Sequence, residues 1–333
     1  MYKPCDQNEN CLKPDVVSLV KCCGPCKRES GLWNLCGVTF ELKSYWIINI
    51  VASLLHLFNA VLMIILFYQN GEKDVCYHLT MPYASWQDLP SNQTGNEEPE
   101  FIIVQRTVDT HTLSLHWLIV GFFLLSFFFQ FIVVLIDEDS PCRIKQCGRI
   151  KYPYIEGVEQ YGVNPLRFVE YSISASIMLV AIGLLTGIRN ENELIMIAIS
   201  CGVCQYFGMI AELTTDYTIR FISHIMGYVC ILTSYGIIWN YYGIANYKGS
   251  QLDPPRSAPD VVHVVVTLLF VLFNLFGLVQ TCQMCCKQSE RFKFFYNWIG
   301  SEAELSYVVL SLASKTLLGW LIYSNVLVMA VKC

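Results

Sequence analysis

Charge is scarce in this chain. Only 15% of its 333 residues are Asp, Glu, Lys or Arg, whereas 54% are aliphatic, aromatic or cysteine; a soluble domain keeps its surface hydrated with roughly 25% charged residues. A lipid bilayer is therefore the expected solvent. The formal charge is −5 and no basic run occurs, so the concentrated cationic face that nucleic acid requires is missing, and no nucleic-acid partner is expected. A metal-ligand helix, a nucleophile elbow and a phosphate loop are missing too, so an enzyme is not expected. The opening MYKPCDQNENCLKPD lacks the apolar core of a signal peptide, and the first membrane span must itself direct insertion.

What the chain does contain is long apolar runs. Residues 45–68, 112–136, 166–188, 194–214, 219–242, 261–282 and 305–331 each suffice to cross the hydrocarbon core, which needs about 20 residues per helix. The expected fold is an all-α membrane protein, a bundle of seven transmembrane helices. Residues 1–44 form a cysteine-rich extension and residues 45–333 the membrane domain, with a long first loop over 69–111.

Lys and Arg concentrate on one side, and positive loops stay in the cytoplasm. That side carries Lys3, Lys13, Lys21, Lys27, Arg28 and Lys43 in the N-terminal tail and Arg143, Lys145, Arg149 and Lys151 after the second span. Arg220, Lys287, Arg291 and Lys293 raise it to 14, against 6 on the other side. The N-terminus is thus expected inside and the C-terminus outside. The 69–111 loop is then external; it is acidic, carries an Asn92-Gln93-Thr94 glycosylation triplet, and has a short candidate strand over 100–106. Of 16 cysteines, 11 lie in segments assigned to the cytoplasm, so a disulfide framework is not expected. The clusters Cys22-Cys23-Gly-Pro-Cys26 and Cys282-Gln-Met-Cys285-Cys286 read as acyl acceptors, a shared zinc site or plain thiols.

An ionisable side chain deep in a bilayer costs at least about 2.5 kcal/mol and calls for a named partner. Lys315 lies ten residues into the seventh span, too deep to reach either interface easily. A buried amine is suited to imine formation with an aldehyde; from position alone, a structural ion pair or a transporter cavity fits equally well. Glu170 in the third span is its natural partner. Ser174 lies one turn after Glu170, and Ser311 one turn before Lys315. His56, in the middle of the first span, is a proton-transfer candidate or a packing residue, and Glu212 ends the fourth span near the inner face.

Three segments carry a resemblance: Arg167-Phe-Val-Glu170-Tyr-Ser-Ile-Ser-Ala-Ser-Ile-Met178, Leu272-Phe-Asn-Leu-Phe-Gly-Leu-Val-Gln280, and Tyr307-Val-Val-Leu-Ser311-Leu-Ala-Ser-Lys315 through Trp320. They resemble the heliorhodopsins, retinal proteins of inverted membrane orientation. The resemblance implies all-trans retinal bound to Lys315 as a protonated Schiff base, Glu170 as counterion and Ser311 as neighbour. It also implies pocket or pocket-adjacent positions at Met178, Phe273, Asn274 and Gln280, a polar-pocket role for His56, and a homodimer. It departs at Gln130, where family members can carry a histidine; glutamine cannot take a proton near neutral pH, so a two-histidine proton store is not transferred. The expected function is photosensory reception in the cell membrane through a signalling partner that the sequence does not name. Light-driven or light-gated ion transport, with His56, Gln130 and Glu212 as stepping stones, is the alternative, and a retinal-free transporter or chemoreceptor the second.

Overall fold

The computed structural model describes residues 33–35, 38–40, 45–71, 74–88, 101–136, 164–214, 216–284 and 303–328. The Asn92 triplet, most of the 1–44 extension, the 137–163 basic loop, Lys287, Arg291, Lys293 and most of the paired cysteine clusters lie outside the described residues. Two short strands, β1 (Trp33–Leu35) and β2 (Val38–Phe40), pair antiparallel before the first helix.

Among the described residues seven α-helices follow: α1 (Tyr45–Gln69), α2 (Leu115–Ile136), α3 (Pro165–Leu185), α4 (Glu191–Leu213), α5 (Tyr217–Ser250), α6 (Asp260–Met284) and α7 (Ala303–Ile322). The last passes into a π-helical turn, Tyr323–Leu327. All seven are long and apolar enough to cross a membrane. At 1.5 Å per residue, 34-residue α5 is about 51 Å long and overshoots a hydrocarbon core of roughly 30 Å.

Polarity is reversed relative to a soluble protein. Leu54, Phe58, Phe128, Met196, Ile199 and Ile225 face outward, while Asn49, His56, Gln130, Arg167, Glu170, Glu212, Glu304 and Lys315 are buried inside. This is the distribution a bilayer imposes, since lipid tails solvate apolar side chains and ionisable groups must turn to the bundle interior.

Consecutive helices pack around the bundle, α7 closes onto α1, and α6 packs chiefly on α7 with only light contact to α5. Helix α3 is the most buried of the seven and also reaches α5 and α6. Its ends are well specified. Asn164 caps it, its Oδ1 accepting from Arg167 N at 3.3 Å, and Pro165 occupies the first turn, where a missing N–H costs nothing. At the other end Gly187 adopts φ 98°, Gly187 N donates to Leu184 O at 3.2 Å and Ile188 N to Gly183 O at 3.0 Å. This is a Schellman closure, and Ile188 buries its side chain beneath it.

The described parts of the first loop hold more strand than the short one expected over 100–106. Strands β3 (Cys76–Asp88) and β4 (Phe101–Ser114) form a long antiparallel ribbon in which Tyr83 faces Arg106 and Trp86 faces Ile103. Thr80 N donates to Arg189 O at 2.8 Å, and the Arg189 guanidinium lies 4.0 Å above the Tyr77 ring. Burial lowers the pKa of Arg189 below its ordinary range, with the Tyr77 phenol opposing that shift. Asp74 Oδ1 accepts from Val75 N at 2.7 Å and from His116 N at 3.1 Å, and Ser114 Oγ donates to Asp74 Oδ2 and accepts from Trp117 N at 3.1 Å, so ribbon and α2 share one cap. Cys76 is disulfide-bonded, a bond the low expectation for disulfides did not include.

Candidate functional site

Lys315 is 2% exposed, near the middle of α7. Its Nζ donates to Glu170 Oε1 on α3 at 2.8 Å and to Ser311 Oγ, one turn back, at 2.9 Å. The Tyr171 ring lies 5.1 Å from the same Nζ, and its hydroxyl donates to Tyr307 O at 3.1 Å, tying α3 to α7 beside the amine. The carboxylate and the ring π-density each favour positive charge at this atom, against the cost of burying it.

The amine opens into a cavity enclosing about 820 Å³ of space free of protein atoms, counting its mouth. Ser174, Ala175 and Met178 of α3, Gly208 of α4, Tyr228 and Ile231 of α5, and Phe273, Phe276 and Gln280 of α6 line it. Two glycines give it width. A Cβ on Gly208 would come within 2.7 Å of the Phe168 ring, and one on Gly277 would strike the Tyr228 ring. Ser174 Oγ has no hydrogen-bond partner among the described residues.

A smaller polar cavity of about 310 Å³ lies behind Glu170, bounded by Asn49, Gln130, Asn164, Arg167 and Glu304. Glu170 is therefore shared: its Oε1 meets Lys315 at the large cavity and its side chain lines the small one. Arg167 anchors the far side. Its Nη1 donates to Glu304 Oε2, its Nη2 to Glu212 Oε1, and its guanidinium lies 3.9 Å from the Tyr307 ring centre. Asn164 completes the cluster, Nδ2 donating to Glu304 Oε1 at 2.7 Å and the backbone N–H reaching Glu212 Oε2 at 3.5 Å. One cation thus joins carboxylates from α4 and α7 to α3.

The structure places Lys315, Ser311, Ser174, Met178, Phe273 and Gln280 around the large cavity, with Glu170 on the Lys315 amine. Asn274 does not join them. Its Nδ2 turns back to Phe270 O at 2.7 Å on its own helix, and it is not a lining residue of the cavity. Glu212 is engaged by Arg167 rather than standing free near the inner face. His56 is fully buried, with its ring 6.1 Å from that of Phe123 and neither nitrogen partnered among the described residues. Gln130 borders the small cavity, its Oε1 likewise without a partner among the described residues.

Sequence reasoning missed Glu304 and the bridging role of Arg167. Arg167 was visible as a charge at the edge of a span, and Glu304 directly precedes the apolar run beginning at Leu305. That they meet depends on α3 and α7 being neighbours, which periodicity does not report.

Beyond Lys315 toward the ribbon, the interior changes character. Met63, Ile119, Phe122, Phe123, Leu318 and Ile322 fill it as one apolar cluster. Glu170, Gln130, Arg167 and the cavities they border lie on the opposite side of the amine, while on the ribbon side Trp320 Nε1 donates to Asn59 Oδ1 at 2.9 Å.

A sequence profile of the heliorhodopsin family matches residues 45–327. No curated protein matches the chain. Among solved structures, the crystal structure of a light-driven proton pump from Leptosphaeria maculans superposes with a TM-score of 0.54 at 12% identity, covering 90% of this chain and 99% of that one. At that identity the likeness is one of fold.

Proposed function

The chain belongs to the heliorhodopsin family, and on that premise we propose that it is a photosensory receptor of the cell membrane with all-trans retinal on Lys315 and Glu170 as counterion. The observation that carries this reading is the buried Lys315–Glu170–Ser311 contact at the end of an aromatic-walled cavity. The residues fit the chromophore. A long, flat, apolar aldehyde needs a reactive amine at one end and ring faces along its length; Lys315 is that amine, and Tyr171, Tyr228, Phe273 and Phe276 provide the faces. Bound there, retinal supplies absorption of visible light and an isomerisation.

The chain's residues do the rest. Glu170 neutralises positive charge at Lys315 Nζ, and Ser311 accepts a hydrogen bond from the same atom. Loss of that positive charge removes the attraction that keeps Glu170 facing α7, and the carboxylate then relaxes toward the small cavity with Gln130 and Arg167 on its wall. Because Arg167 holds α4 and α7 through Glu212 and Glu304, a change at Glu170 is transmitted to the helix ends beneath it. The interior on the ribbon side is dominated by an apolar cluster, and Asn59 there is engaged by Trp320 Nε1, which favours a sensor over a pump.

With N-terminus inside, the end of the interior that holds the Arg167 cluster is cytoplasmic and its loops are the surface for a signalling partner. The disulfide at Cys76 supports an external ribbon, since such bonds persist in oxidising compartments. A homodimer within membrane lipid and a separate 1–44 extension belong to the same reading. Protein reconstituted with retinal should show a visible band that Lys315→Ala abolishes, and Glu170→Gln should shift that band. An unchanged band in the lysine variant would overturn the attachment, and steady photocurrents under voltage clamp would replace the sensor with a transporter.

A further inference from the structure

The wall of the main cavity holds a second titratable side chain that the amine end does not use. His224, near the start of α5, is 7% exposed and lines the cavity. Its Nδ1 lies 3.0 Å from Gln280 Oε1 and its Nε2 lies 2.8 Å from Thr281 Oγ1, two consecutive residues of α6.

The other bonds of these partners restrict the ring. Gln280 Nε2 donates to Gly208 O of α4 at 2.8 Å. A carbonyl only accepts, so the amide is oriented and Oε1 faces the imidazole as an acceptor. Nδ1 must therefore carry a hydrogen. Thr281 Oγ1 lies 2.9 Å from Gly277 O, and its single hydrogen can point there or to Nε2. Two complete arrangements result. In one the ring is neutral and Thr281 donates to Nε2. In the other a proton from water has bound at Nε2, the new N–H donates to Thr281 Oγ1, and the threonine hydrogen has turned to Gly277 O. The heavy atoms keep their contacts in both, which is unusual for a buried histidine, where charging ordinarily leaves a donor facing nothing.

We propose that His224 is a proton-binding site of the cavity wall, with Thr281 as the hydroxyl that switches with it and Gln280 as the link from its charge to α4. Around it, Arg167 and Tyr171 of α3, Cys204 of α4, and Tyr307 and Lys315 of α7 line the same cavity. On its own helix the Tyr228 ring stands edge-on at 5.1 Å, and Cys282 follows Thr281 on α6. None of these is hydrogen-bonded to the imidazole, whose partners among the described residues are Gln280 and Thr281. The site thus responds to proton activity through α5 and α6, the consecutive helices that pack most lightly on each other.

The test needs no chromophore, so it stands or falls apart from the retinal reading. The full chain, labelled with ¹⁵N-histidine and held in lipid nanodiscs without retinal, is titrated by NMR. The His224 signal is identified by its loss in His224→Gln, or in His224→Asn if the first variant does not fold. The expected result is a passage from a neutral Nδ1–H ring to a doubly protonated one as pH falls. Thr281→Val, which removes the acceptor for Nε2–H, should lower the midpoint by about one pH unit, a tenfold loss of proton affinity, and Thr281→Ser should restore it. A ring that stays neutral wherever the protein is folded, or a midpoint identical in Thr281→Val, overturns the proposal. Whether a visible band forms with retinal, and is lost in Lys315→Ala, is read separately.

Discussion

Arg167 shows how much rests on one side chain. It is buried between two carboxylates from different helices and beneath an aromatic ring, and replacing it with an apolar residue would leave both acids buried without their cation. Breaking a buried ion pair by removing one partner costs about 3–5 kcal/mol. Arg167→Leu should therefore lower thermal stability in nanodiscs sharply, and Arg167→Lys should recover only part of the loss, because an ammonium cannot present two parallel donors to Glu212 and Glu304. Gly208 acts by absence. Since a Cβ there would come within 2.7 Å of the Phe168 ring, Gly208→Ala should push that ring into the cavity. Reconstitution with retinal should then yield less pigment per protein, while Gly236→Ala, where a Cβ meets nothing within 4 Å, should yield as much as the parent.

At the scale of elements, the helix starts separate a cap from a cap that also serves the site. Asp216 caps α5, its Oδ1 accepting from Ile219 N at 2.9 Å in an exposed position. Asp216→Ala should cost about 1 kcal/mol, the usual loss for a cap. Asn164 caps α3 and also donates to Glu304 at 2.7 Å, so Asn164→Ala removes a buried charge-assisted bond besides the cap. Its destabilisation should exceed that of Asp216→Ala by about 1.5–3 kcal/mol, measured by thermal or denaturant unfolding of the two variants side by side. The ribbon is joined to the α3–α4 region by one backbone bond from Thr80, by the Arg189 guanidinium, which stacks on Tyr77 and donates to Leu184 O and Ile188 O, and by His111 Nδ1 at 3.1 Å from Glu191 Oε1, besides its shared cap with α2. Those contacts fix it over the α3–α4 turn.

For the whole molecule, the orientation is the quantity to measure. If the ribbon is external, a cysteine placed at Ser85, paired with Val104 in its middle, should react with a membrane-impermeant maleimide in intact cells. Labelling only after the cells are opened would reverse the topology, and would put the Arg167 cluster and the large cavity's inner wall on the outer side. The placement of the Arg167 cluster and of the apolar cluster toward opposite ends of the interior does not depend on that outcome, because it follows from packing alone.

Much of this was legible in the chain itself. Helix number and limits follow from apolar runs, because a span in hydrocarbon must satisfy its backbone internally and cover itself with apolar side chains; α1 through α7 begin and end within a few residues of those runs, apart from the polar extension of α5 and the last residues of α7, which lie outside the described structure. Lys315 and Glu170 were likewise legible, since a charge inside such a run is costly enough to demand a partner. What the sequence left open were pairings across helices. His224 was one histidine near a helix end until α6 set Gln280 and Thr281 against its two nitrogens. Asn274 matched a pocket motif but turns back to its own helix, and Glu212 looked like a solvated end yet faces Arg167. The physical reason is range: burial and periodicity are local consequences of the solvent, whereas an ion pair or a hydrogen-bonded ring needs two distant segments placed within about 3 Å, and only the packed bundle does that.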